Sequence, residues 1–457
     1  MTSDTQIDNG LNKAGLNRLE RRSIAALASV YGLRMFGLFL ILPVLAIYSE
    51  QLEGATPVLM GIALGIYGIT QAMFQIPFGI LSDKYGRKPI IILGLMIFIV
   101  GSLVAALASS IEGVIIGRAL QGAGAIAAVV LALTSDLTRE EQRTKAMALI
   151  GMTIGLAFMF ALVVSPWLAF FIGVKGMFVL TAVLAVGAIV VIIKAVPTPV
   201  QRRNLEVRAV PAKMLELLRN PQLIRLDIGI FVLHFVLTAM FVVVPIILLE
   251  RLSLPTRDHW QVYLPALIAS IVFMVPMIIL SAKKAWLMRI FFAAICILLF
   301  AQCLLMWRPL GVLGMTVCLF FFFWGFNLLE AMLPSIVSRV APAAGKGSAM
   351  GVYNTFQFMG VFFGGFLGGL IYGAVGVTAV FVLCGLVLLA WAWIVFKAPQ
   401  PTLLDSLVVR YQGNVSQADF EAVNGVEEAI IIDGESTAYL KVDKQLLDHA
   451  ALSALTN

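Results

Sequence analysis

Arg34, Arg118, His234 and Glu330 each stand inside a long run of apolar residues. An ionisable group in such surroundings is costly unless it is paired, hydrated or able to give up its charge, so these four are candidates for ion or substrate handling. Amide side chains share the same runs: Gln71, Gln75, Gln121, Asn327, Asn354 and Gln357. The set suits reversible protonation of Glu330, with Arg34 or His234 tuning its proton affinity, because desolvation and a neighbouring cation act on a carboxyl in opposite senses. Plainer readings stand beside this one. Arg34 and Glu330 would also serve as a permanent ion pair, and a lone histidine such as His234 often only packs through a hydrogen bond. Tyr67, Tyr263, Trp324, Phe326 and Tyr353 either contact an amphipathic organic molecule or simply pack.

Positioning such residues requires membrane-spanning helices. The chain has 457 residues, 61% of them hydrophobic and 12% charged, with a mean hydropathy of +0.99. A soluble domain carries about a quarter charged residues. A bilayer core of about 30 Å is crossed by about 20 residues rising 1.5 Å each. Twelve stretches qualify, near 23–48, 57–81, 89–109, 112–135, 146–170, 174–196, 225–249, 262–282, 285–307, 310–338, 347–372 and 376–396. Counting along each from its basic end places Arg34, Gln71, His234, Glu330 and Gln357 at a shared depth of about 12 to 16 Å. Asn327, three residues before Glu330, shares its helix face.

The net charge of +7 is distributed as a membrane protein distributes it. Connections 82–88, 136–145, 194–225, 283–289 and 339–346 carry 18 Lys and Arg, whereas the alternate connections carry 4: Lys175, Arg251, Arg257 and Arg308. This asymmetry predicts both termini in the cytoplasm and gives no reason to invoke nucleic acid. The polar segment 1–22 is not followed by a short cleavable apolar stretch, so no removable signal peptide is expected. Cys296, Cys303, Cys318 and Cys384 lie in apolar runs without paired spacing, so neither a disulfide framework nor a zinc site is expected. With no Walker motif and no nucleophile constellation, the sequence predicts no cofactor, no metal and no enzymatic activity.

A basic linker, 197–224, separates six spans (23–196) from six more (225–396). Pro43 matches Pro245, Pro77 matches Pro276, and Ala146-Met147 matches Ala349-Met350, at offsets of 202, 199 and 203 residues. A nearly constant offset indicates a duplicated six-helix unit, the arrangement of two bundles around a substrate site near the midplane.

Between the second and third spans runs Gly79-Ile80-Leu81-Ser82-Asp83-Lys84-Tyr85-Gly86-Arg87-Lys88-Pro89. It resembles the signature G-x-x-x-D-[RK]-x-G-R-[RK] of the major facilitator superfamily. A generic basic loop would account for Lys84, Arg87 and Lys88 but not for Gly79, Asp83 and Gly86. The resemblance implies a conformational latch. Gly79 would allow close helix approach, Asp83 would hold the start of the eleventh span at Gly345-Lys346-Gly347-Ser348, and Arg87 would bridge Asp83 to Asp136. Arg118-Ala119-Leu120-Gln121-Gly122-Ala123-Gly124-Ala125 is similar to the R-x-x-Q-G-x-G-A element of proton-coupled facilitators, although an arginine there could also snorkel to the outer surface. The antiporter element G-P-x-x-G-G is poorly kept: Ser165-Pro166-Trp167-Leu168-Ala169-Phe170 retains only the proline. In this fold the first, fourth, seventh and tenth spans line the cavity, which would let Arg34, His234 and Glu330 face one another.

After Pro399 and Pro401 the composition turns polar. A strand over 406–411, a helix over 416–423, a hairpin of 426–432 and 438–442 across Asp433-Gly434-Glu435-Ser436, and a helix over 444–455 are predicted. The order βαββα is a ferredoxin-like sandwich without its last strand, and the open edge invites pairing with another chain. Metal-chaperone domains of this architecture need a C-x-x-C pair, which Gln412-Gly413-Asn414-Val415-Ser416 lacks. The resemblance extends over nearly the whole chain to bacterial facilitators with such an appended domain, regarded as proton-driven exporters of poorly defined cargo.

The expected protein is therefore an all-α membrane protein of twelve spans with a small α+β domain at 401–457, in the bacterial inner membrane. Its expected partners are lipid, a small organic molecule and protons, with self-association through the tail. A proton-coupled importer, or a membrane sensor signalling through the tail, would use the same features.

Overall fold

The structure, a computed structural model, describes residues 15–198, 217–281, 284–307, 311–342, 345–399, 401, 403–411, 415–432, 437–443 and 446–456. Most of the expected linker, the turn 433–436 and the segment 412–414 lie outside them.

The first helix, α1 (Arg18–Ser49), starts before the expected residue 23. Asn17 and Glu20 form a capping box, each side chain accepting from the other's backbone N–H at 2.8 Å, so the polar first turn is stable. Then come α2 (Pro57–Tyr85), α3 (Arg87–Leu107), α4 (Ile111–Ala123), α5 (Ala127–Asp136) and α6 (Glu140–Ala195). The helices α4 and α5 are one expected span broken at Gly124–Ile126. The 56 residues of α6 would extend about 84 Å, far beyond a bilayer. They are two helices meeting at Gly173, whose φ of 65° and ψ of 169° are open to glycine and strained for other residues.

The chain continues with α7 (Pro221–Ile246), α8 (Trp260–Ser281), α9 (Lys284–Met306), α10 (Gly311–Val340), α11 (Lys346–Ala374) and α12 (Val377–Lys397). Among the described residues eleven helices are long and apolar enough to cross a membrane. Dividing α6 at Gly173 gives the expected twelve. Pro43, Pro77, Pro245 and Pro276, the landmarks of the repeat, all lie inside helices. Many large apolar side chains stay exposed along α2, α3 and α6, as lipid contact requires.

The described residues pack as two units. One comprises Met1–Arg203, Thr238–Leu264 and Gly365–Ala374; the other comprises Asn204–Leu237, Pro265–Gly364 and Val375–Asn457. Within the first, Gly122 lies so close to α2 that a Cβ there would meet the Tyr67 carbonyl at 2.2 Å, and Gly365 and Gly369 approach the α2 backbone at Gly61 and Pro57 as closely. Within the second, Gly360 and Gly364 seat α11 against the carbonyls of Phe231 and Phe235 in α7. Such small-residue contacts replace the hydrophobic effect between helices in lipid.

The tail forms β1 (Asp405–Arg410), α13 (Gln417–Glu421), β2 (Val426–Ile432), β3 (Thr437–Val442) and α14 (His449–Thr456). Its sheet has the order β1-β3-β2 with both pairs antiparallel. This is the expected ferredoxin-like arrangement, with no strand beside β1 among the described residues. Phe420, Ala429, Ala438, Leu440, Val442 and Leu452 close its core. The last helix begins at His449 rather than 444, because Asp448 caps it, accepting from the N–H groups of Ala450 and Ala451 at 3.0 Å.

Candidate functional site

In the first unit, Arg34 of α1 is 1% exposed. Its Nη2 donates to Gln71 Oε1 at 2.8 Å and to the Gly124 carbonyl at 3.0 Å, and its guanidinium lies 5.3 Å from the centroid of the Phe98 ring. Gly124 is where the fourth span breaks, and its carbonyl, outside the regular helical ladder, accepts from both Arg34 and the Ile126 N–H at 2.9 Å. Gln75, one turn beyond Gln71, is buried as well.

Arg118, 2% exposed, does not snorkel. Its Nε and Nη2 donate to the α2 carbonyls of Ala63 (3.3 Å) and Leu64 (3.4 Å), and its Nη1 to Gln121 Oε1 (3.0 Å). Gln121 in turn donates to Ser102 of α3 at 2.8 Å, and the Tyr67 ring lies 5.4 Å from the guanidinium. The R-x-x-Q spacing thus ties three helices through one buried charge, using residues one turn apart on a single face.

At the α2–α3 connection, Arg87 pairs with Asp83 and, through Nε at 3.1 Å, with Asp136 at the end of α5. Its Nη1 also donates to the Ser82 hydroxyl at 2.6 Å, and Lys88 donates to the Val196 carbonyl at 2.6 Å. Gly86 ends α2 at φ 93°, a backbone region that excludes most side chains. Among the described residues, nothing lies within 4 Å of where a Gly79 Cβ would stand. Near the same connection, Glu20 grips Arg139 through both carboxylate oxygens at 2.9 and 3.0 Å, a bidentate contact that sequence reasoning missed.

In the second unit, His234 of α7 holds Gln357 of α11, Nε2 to Nε2, at 2.8 Å, and its Nδ1 lies 3.3 Å from the Ile230 carbonyl. A carbonyl only accepts and an amide nitrogen only donates, so with this amide orientation the ring is neutral, with its proton on Nδ1. Glu330 Oε2 lies 3.9 Å from His234 Nε2, and this oxygen is buried without a hydrogen-bond partner among the described residues, although 38% of the side chain is accessible. Asn327 donates to Ser270 of α8 at 3.1 Å. Asp227 of α7 is buried, and the Tyr353 hydroxyl, also buried and unpartnered, lies within electrostatic reach of Asp227 and Glu330. Asp227 was missed as a site residue because it stands near the helix start. The signal was its spacing: Asp227 and His234 are two turns apart, as Tyr353 and Gln357 are one turn apart.

Many apolar spans carrying buried ionisable groups at helix contacts define a polytopic membrane transport protein. The chain belongs to the Major Facilitator Superfamily, whose sequence pattern matches residues 27–365, and it is accordingly a secondary transporter. It is 41% identical over 433 residues to the inner membrane transport protein YajR of Escherichia coli K12, covering 93% of this chain and 95% of YajR. It is 37% identical to an uncharacterized transporter of Buchnera aphidicola subsp. Acyrthosiphon pisum, covering 76% of this chain and 90% of that one. The fold is similar to that of a bacterial homologue of the human lysosomal transporter Spinster in an inward-facing, occupied conformation, with a TM-score of 0.69 and 14% identity over 84% of this chain and 97% of that one. It is also similar to that of a D-xylose-proton symporter, with a TM-score of 0.65 and 14% identity over 82% and 97% of the two chains.

Proposed function

We propose that the protein is a proton-coupled exporter of a small organic molecule in the bacterial inner membrane, working by alternating access of the halves 23–196 and 225–396, with both termini cytoplasmic. The observation that carries this reading is Glu330. Its Oε2 is buried and unpartnered, 3.9 Å from a neutral imidazole that is itself fixed by Gln357. An uncompensated carboxylate is costly there, whereas a protonated carboxyl gains a donor directed at its neighbours. A conformational change that admits water reverses that preference, and this is what coupling requires. Gly79, Asp83, Gly86, Arg87, Lys88 and Asp136 act as the latch of one conformation.

Export is favoured by likeness to the multidrug resistance protein 2 of Bacillus subtilis, 25% identical over 379 residues, and the likeness to a proton symporter favours import by the same machinery. The tail of residues 401–457 regulates transport or joins two copies through the free β1 edge. Purified protein in liposomes loaded with a pH-sensitive dye tests the reading. In a screen of cationic, neutral and anionic organic compounds, the transported class should drive proton flux in wild type and none in Glu330→Gln. Compound flux without proton movement would refute coupling, and the sign of the proton flux separates export from import.

A further inference from the structure

Arg34 and Arg118 are buried guanidinium groups of one unit, and neither has a carboxylate partner among the described residues. Their coordination differs. Among the described residues, Arg118 donates through Nε, Nη1 and Nη2, whereas Arg34 donates only through Nη2 and leaves Nε and Nη1 without partners. Around Arg34 the shortfall continues. Gln71 uses its oxygen for Arg34 and leaves Nε2 unpartnered, and Gln75 leaves both Nε2 and Oε1 unpartnered. All three side chains are at most 1% exposed. Native proteins leave few buried polar atoms unsatisfied, and here four donor nitrogens face one acceptor oxygen.

We propose that Arg34, Gln71 and Gln75 form a subsite for the carboxylate of an organic anion, the charged end of the transported molecule. This rests on the transport reading above. The donor excess and the single positive charge match a monoanion with two acceptor oxygens, and a dianionic phosphate would leave one charge uncompensated in an apolar interior. Gln71 and Gln75, four residues apart, present their amides on the same face of α2. Phe98 under Arg34, together with buried Tyr31 and Tyr67, offers aromatic surface to the body of the molecule.

Full-length protein in detergent, with no proton gradient, is titrated with benzoate, benzamide and benzylammonium while thermal unfolding is followed. Benzoate should stabilise saturably and the other two should not. Arg34→Gln should weaken benzoate binding by about tenfold or more, the loss of a charged hydrogen bond. Because Arg34 also holds the Gly124 carbonyl, Gln75→Leu is the second variant: it breaks no hydrogen bond seen in the structure, and it should weaken benzoate several-fold. Equal stabilisation by benzamide, no response to benzoate, or unchanged affinity in both variants would overturn the subsite. Proton flux without benzoate binding refutes only the subsite, and benzoate binding without flux in liposomes refutes only the transport reading.

Discussion

Lys441 sits in β3, the central strand of the tail sheet, and is 1% exposed. Its ammonium donates to the backbone carbonyls of Ser338 and Arg339 at 3.1 and 3.2 Å. These carbonyls belong to the last turn of α10, where no helical N–H remains to satisfy them and where the helix dipole favours a cation. A charged hydrogen bond contributes about 1.5 kcal/mol or more, so two are worth about 3 kcal/mol, and their loss should make docking of the tail on α10 roughly 100-fold less favourable. The neighbouring pair of Arg339 and Asp405, 3.5 Å apart with each side chain about a third exposed, is worth less than about 1 kcal/mol. Lys441→Met keeps the apolar stem and removes both bonds, whereas Asp405→Asn removes the charge of the neighbouring pair. Hydrogen–deuterium exchange on the full-length protein in nanodiscs should show the end of α10 and strand β3 exchanging much faster in Lys441→Met and little changed in Asp405→Asn. Equal effects of the two variants, or no change around Ser338 in Lys441→Met, would refute the reasoning.

Two further outcomes follow from the connections. Gly86→Ala forces a side chain into φ 93° and should cost about 2 kcal/mol, seen as a lower unfolding temperature, while the Gly79→Ala control, which meets open space, should be nearly neutral apart from any effect on transport. Glu20→Ala removes the capping box and the bidentate partner of Arg139. With the Arg139 side chain 44% exposed and able to regain water, the loss should be about 2 kcal/mol, measured as faster proteolysis ahead of α1.

The membrane fold was legible because hydropathy over about 20 residues and the proline offsets are local signals that survive without any knowledge of contacts. The tail was equally legible from alternation and turn residues, and β2 runs over the expected 426–432. Pairings were legible only where spacing or resemblance encoded them. Arg118 and Gln121, one turn apart, meet, and so do Arg87 and Asp136, which the signature loop implied. Lys441 with the end of α10, and Glu20 with Arg139, are contacts between segments more than 100 residues apart that carry no shared pattern. His234 and Gln357 were both candidates, but their bond depends on how α11 lies against α7. That packing is set by Gly360 and Gly364, which in sequence read only as a glycine-rich run.

The departure at the fifth span has a physical meaning that the missing glycines alone do not convey. Where G-P-x-x-G-G would leave a bare, bendable backbone, this chain has a serine before the proline and large rings after it. The Ser165 hydroxyl donates to the Leu40 carbonyl of α1, next to the Phe39 carbonyl that loses its helical N–H partner to Pro43. Trp167 and Phe170 each stack edge-on against Phe171, and Arg257 lies over Phe170 at 5.5 Å. The proline of the fifth span is thus pinned to α1 on one side and followed by an aromatic collar on the other. The backbone leaves the helical region at Gly173, where the fifth span gives way to the sixth. Ser165 thus fastens the fifth span to α1, the helix that carries Arg34, at a position where the antiporter element has a glycine with no side chain to do so.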